Sequence, residues 1–170
     1  MPPAVQTAPT LVFGWGNPSR GDDALGPLFC ERIEALRLPG VECLTDFQLQ
    51  VEHALDLAGR RRVLFVDAAL AGAQPQEPAA LAAGFHAHTI TPARDASFTT
   101  HTMSPQSVLQ VYRQVLGSDP PPAWLLAVHG IGFELGDGLS AAAAANLDRA
   151  LAWAEHWLRE NGATNAPFQV

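Results

Sequence analysis

Three short apolar runs, each stopped abruptly by a glycine or a polar residue, constrain this chain more than any other feature. They are Thr10 to Phe13 before Gly14, Arg62 to Val66 before Asp67, and Trp124 to Val128 before His129 and Gly130. A strand with one wet face alternates apolar and polar residues. An unbroken run instead reads as a strand buried on both faces, the environment of a parallel sheet. Val41 to Thr45 and Phe85 to Ile90 are weaker strand signals, so five strands are predicted.

Helical periodicity fills the intervals. Leu25, Leu28, Phe29, Ile33 and Leu36 recur at three- and four-residue steps, as do Val108, Leu109, Tyr112, Val115 and Leu116. Ser104-Pro105 reads as an N-cap followed by proline at the first helical position. Ser140 is an N-cap for a final helix reaching Glu160, with Leu147, Leu151, Ala154 and Leu158 as its inward stripe. Trp153 and Trp157, four apart on that helix, read as packing residues. Alternating strands and helices predict an α/β fold, a three-layer αβα sandwich around a mostly parallel five-stranded twisted sheet. The 170 residues, 48% of them apolar, fit a single domain over 1–170 with loose ends at 1–9 and 161–170. Ala71 to Ala83, rich in small residues and proline, reads as an exposed connection.

Charge excludes some roles. Ten Lys and Arg against seventeen Asp and Glu leave a net charge of −7, which repels nucleic acid and anionic membrane surfaces. No stretch approaches the roughly 20 apolar residues that span a bilayer, and a cytoplasmic protein is expected. Cys30 and Cys43 have no paired-cysteine pattern around them and read as core thiols.

In an open α/β sheet, ligands collect outside the carboxyl ends of the strands, and this rule selects the candidates. The turn after the first run, Gly14-Trp15-Gly16-Asn17-Pro18-Ser19-Arg20-Gly21-Asp22-Asp23, superficially matches a dinucleotide fingerprint. It lacks the third glycine, having Ser19 there, and its two carboxylates would repel a pyrophosphate. One aspartate of the pair is expected to cap the following helix, which leaves the other at the sheet edge with no apolar reason to be there. Asp67 closes a buried strand, where a carboxylate is costly unless paired, hydrogen-bonded or bound to a metal; the bland alternative is an Asx turn. His101, in a loop ahead of the Ser104-Pro105 helix start, adds a nitrogen ligand. Two carboxylates and an imidazole suit Zn²⁺, Ni²⁺ or a similar ion and leave coordination positions open.

Other histidines compete. His86 and His88 share a strand face and are the main rival; His129 ends a strand and could support the same edge, while His53 and His156 fall in helical positions.

Taken together, these segments resemble the [NiFe]-hydrogenase maturation endopeptidases. The resemblance runs from Leu11 to about Leu158, through Gly14-x-Gly16-Asn17, Gly21-Asp22-Asp23-Ala24-Leu25-Gly26, the strand-end Asp67 and the pre-helical His101. It implies a hydrolase that trims the C-terminal extension of a hydrogenase large-subunit precursor after nickel insertion. Asp23, Asp67 and His101 would bind the metal and carry catalysis, and the nickel would be supplied by the precursor. Gly132 to Ser140 resembles the family's turn into its last helix. Asp46-Phe47-Gln48-Leu49-Gln50 departs from the glycine-rich pattern many members carry there, and bears on which precursor is recognised. A non-catalytic nickel carrier using the same three residues is the alternative reading.

Overall fold

The computed structural model describes residues 6–70, 78–95 and 103–160. Five strands form one sheet: β1 (Thr10–Trp15), β2 (Val41–Asp46), β3 (Arg62–Leu70), β4 (Phe85–Ile90) and β5 (Ala123–Gly130). Their order is β2-β1-β3-β5-β4, parallel throughout except for the antiparallel edge strand β4. β1, β3 and β5 lie on the three apolar runs, and β2 and β4 on the two weaker signals.

The helices are α1 (Leu25–Ala35), α2 (His53–Asp56), α3 (Pro78–Ala83), α4 (Pro105–Leu116) and α5 (Ala141–Arg159). Alternate strand residues feed two cores. Val12, Leu64, Val66, Leu126 and Val128 pack under Leu25, Phe29 and Ile33 of α1 and Leu147, Ala154 and Trp157 of α5. Leu11, Phe13, Val63 and Phe65 face the other way, under Ala54 of α2 and Val108, Leu109 and Tyr112 of α4. Phe65 is fully buried, and truncating such a residue to alanine costs about 3–5 kcal/mol. The result is the αβα sandwich.

Both predicted caps are present. Ser104 accepts from the Ser107 amide with Pro105 behind it, and Ser140 accepts from the Ala143 amide. Trp153 and Trp157 stack at 6.1 Å, with Trp157 edge-on to Trp124, so they pack as read. Two readings need correction. The α4 stripe ends at Tyr112, because Val115 is 62% exposed and Leu116 40%. The connection over Ala71 to Ala83 contains α3; alanines stabilise a helix even without a clear apolar stripe. Its first part, 71–77, lies outside the described residues, as do the terminal segments 1–5 and 161–170.

Arg62 ties the first residue of β3 to the end of α5. Its guanidinium donates to the Trp157 and Leu158 carbonyls at 3.2 and 3.1 Å, its Nε donates to Thr10 Oγ1, and its plane lies 4.1 Å over the Trp157 ring. These carbonyls belong to the last turn of the helix, where a cation is also favoured by the helix dipole.

Cys30 is buried and Cys43 half-buried, and neither is in a disulfide. The Cys30 thiol is raised far above its usual range by Cys43 beside it and by burial, so it stays protonated, as a core thiol should. Among the described residues, no helix is long and apolar enough to cross a membrane.

Candidate active site at the switch point of the sheet

The chain leaves β1 through α1 to reach β2 on one side, and β3 pairs on the other. A crevice therefore opens between the carboxyl ends of β1 and β3, where the direction of strand order reverses. Asp23 and Asp67 both lie there.

Asp23 sits in a 3-10 turn, Gly21–Ala24, between β1 and α1. Glycines make its position attainable. A Cβ on Gly14 would overlap the Gly26 carbonyl, and one on Gly26 would overlap the Trp15 carbonyl, so only glycine lets the helix start this close to the strand. Gly16, at φ +148°, lies against the Asp23 backbone with no room for a side chain. Asp23 Oδ2 accepts from the Asn17 amide at 2.7 Å, and Asn17 Oδ1 accepts from the Ser19 amide at 2.9 Å. The glycine motif thus builds a carboxylate perch and leaves no helix N-terminus free for a phosphate.

Neither aspartate caps α1, contrary to the sequence expectation, because the residue in the N-cap position is Ala24 and it makes no side-chain cap. Asp22 points the other way. It is fully buried and takes four donors: the Ile131 amide at 2.7 Å, the Gly132 amide at 3.1 Å, the Ser140 amide at 2.8 Å and the Ser140 hydroxyl at 2.8 Å. Burial alone would raise its pKa, but those donors together hold it below the ordinary aspartate value. Asp22 fastens the loop into α5 to the loop out of β1. Backbone bonds from Gly21 to Asp137, Asp22 to Gly132 and Gly136 to Ser19 lace the same two segments.

Asp67 is within β3, which runs on to Leu70, so it is neither a strand end nor an Asx turn. What ends at this point is the pairing with β1, whose last partner is Val66; beyond it β3 pairs with β5 alone. Burial pushes the Asp67 carboxyl up to about 7, the Asp23 charge adds to the rise, and the Ala68 amide opposes it. Among the described residues, neither Asp23 nor Asp67 is ion-paired with a cation. Two carboxylates that repel each other at the mouth of a cleft form a donor set whose cost a divalent cation would relieve. His101, the third predicted residue, lies outside the described residues. Among those described, no three His, Cys, Asp or Glu side chains are gathered around one point.

The departing segment after β2 is well fixed. His53 Nδ1 accepts from the Gln50 amide at 2.8 Å, which leaves its Nε2 to donate to Asp46 Oδ2 at 3.1 Å. Leu49 is buried beneath, and Phe47 is turned out, 68% exposed. Leu70, Ile131 and Leu135 are also exposed on the segments that leave β3 and β5. His156 is helical, as read.

The class is now defined: an αβα sandwich with an acidic crevice at the switch point of a mostly parallel sheet. No family model matches the chain, and no curated relative matches it in sequence. Solved structures do. The hydrogenase maturating endopeptidase HybD from E. coli superposes with a TM-score of 0.67 at 25% identity, covering 93% of this chain and 96% of that one. The [NiFe] hydrogenase maturation protease HycI from Thermococcus kodakarensis gives 0.63 at 24% identity, over 91% and 94%. An endopeptidase from Escherichia coli gives 0.67 at 24%, over 90% and 93%. By fold the chain is similar to these hydrogenase maturation endopeptidases over nine-tenths of its length.

Proposed function

We propose that this protein is a peptidase of hydrogenase maturation, and that it removes the C-terminal extension of a large-subunit precursor after nickel insertion. The observation that carries this reading is that Asp23 and Asp67 sense each other at one edge of the sheet, with no cationic partner among the described residues, in a fold shared over most of its length with hydrogenase maturation proteases.

In this reading the nickel belongs to the substrate, and Asp23, Asp67 and His101 are the residues that meet it. A carboxylate and imidazole set with open positions accepts an ion still held by substrate thiolates, so docking itself reports that the ion is in place. Bound there, the ion would supply positive charge to polarise a carbonyl or a water. The chain supplies the rest. Asp23 is held in place by the Asn17 amide, and Asp67 is the buried carboxylate beside it that would hold the ion or take a proton from water. Exposed Phe47, Leu70, Ile131 and Leu135 offer apolar contacts of the kind a protein substrate needs and a small metabolite does not.

The test is incubation of purified protein with nickel-loaded precursor, followed by mass measurement of the large subunit. Asp23→Asn, Asp67→Asn and His101→Ala should each slow trimming by about 100-fold or more, with the circular dichroism spectrum unchanged. Normal trimming by a folded variant removes that residue from the site. Binding without any shortening by the unaltered protein would make it a carrier instead.

A further inference from the structure

The edge strand carries a second group of chemically capable side chains. His86 and His88 project from the same face of β4, and His86 pairs in register with Ala127 of β5, two residues before His129. Across that strand pair, His86 Nδ1 and His129 Nε2 stand 3.3 Å apart, with ring centroids at 5.5 Å. His88 lies parallel to His86 on its other side, with centroids 5.7 Å apart and planes within 8°. Three imidazoles thus form one row, buried at His129 and exposed at His88.

The spacing is informative. Hydrogen bonds from ring nitrogens usually end at about 3.2 Å, so this contact is long for one. Two nitrogens bound to one tetrahedral ion at about 2.0–2.1 Å sit roughly 3.3 Å apart. The backbone holds this spacing firmly. The His129 amide donates to the Gly84 carbonyl just ahead of β4, and the His129 carbonyl accepts from Asn146 of α5. Among the described residues, no acidic or basic side chain forms an ion pair with any of the three rings.

We propose that His86 Nδ1 and His129 Nε2 are the two protein ligands of a site for a borderline divalent ion such as Zn²⁺ or Ni²⁺, with water completing it and the ring of His88 stacked beside His86 at its open end. Its ligands are different from those of the acidic crevice, although Asp67 projects from the same face of the neighbouring strand. Imidazole is a preferred ligand for such ions, and the open end at His88 gives an entry path. Ion binding requires no net loss of protons: the proton between the facing nitrogens leaves for the far nitrogen of the ring that carries it. Burial lowers the pKa of all three histidines, and His129 and His88 lower that of His86 further.

The experiment titrates Zn²⁺ by calorimetry, and Co²⁺ by its visible absorption, into metal-free full-length protein carrying Asp23→Asn and Asp67→Asn, which silences the crevice. One equivalent should still bind, and adding His86→Ala should weaken it at least tenfold, as should His129→Asn made separately. His86 is half-exposed on an edge strand, so its variant keeps the test valid if the His129 variant fails to fold. Absence of binding in the crevice-silenced protein overturns the site, and so does binding that survives His86→Ala unchanged.

Discussion

Asp22 and Asp67 are both taken out of water, yet the protein treats them in opposite ways. Asp22 receives four donors and keeps its charge at a lowered pKa; Asp67 receives the Ala68 amide, faces a second carboxylate and is pushed up to about 7. A fully satisfied buried carboxylate is a fastening, because its energy is spent on the two loops it joins. One with fewer donors and another acid beside it is a cost the fold carries, and such costs concentrate where chemistry is done.

The contrast can be broken by mutation. The largest effect on stability should come from Asp22→Ala, which strands the amides of Ile131, Gly132 and Ser140 and releases the loop into α5. A loss of about 3 kcal/mol or more is expected in urea unfolding at pH 7. A loss below about 1 kcal/mol would show that the lacing backbone bonds suffice without the side chain.

Asp67→Asn should do the reverse. An aspartate at about 7 when folded and about 3.9 when unfolded binds its proton more tightly in the folded state. Its contribution is therefore fully favourable below about pH 4, falls as pH rises from about 4 to 7, and is flat above that. The amide escapes this loss, so the variant should gain about 1–3 kcal/mol over the parent at pH 8 and nothing at pH 4, measured by unfolding at both values. Asp22 has the opposite slope: its lowered pKa gives stability that is present above about pH 4 and is lost as pH falls below it. The smallest effect should come from Asp23→Asn. Removing the neighbouring charge moves the Asp67 titration downward from about 7 without abolishing the rise, since burial is its main cause. A carboxyl signal followed by NMR through pH titration checks the direction, and an unmoved Asp67 would show that the two acids do not sense each other.

Much of the fold was legible because buried parallel strands announce themselves as unbroken apolar runs: β1, β3 and β5 lie on the three runs, the weaker signals mark β2 and the antiparallel edge β4, and both serine caps are where the pattern put them. The roles of the acidic pair were less so. Asp22 finds its partners more than a hundred residues away, at Ile131, Gly132 and Ser140, and no local pattern reports a contact of that range. Asp67 looked like a strand terminus because the apolar run stops there, whereas the strand continues for three more residues along β5. The face shared by His86 and His88 followed from their spacing, but their meeting with His129 depended on the register of an antiparallel edge that sequence does not set. His101 joins the acids by motif alone and lies outside the described residues.

The grip of Arg62 on the end of α5 bears on how the crevice comes into being. The strand that carries Asp67 begins with a guanidinium whose resting place is made from residues 157 and 158, so that side chain can seat only after α5 has been made. Seating of the acidic strand is thereby coupled to the docking of α5.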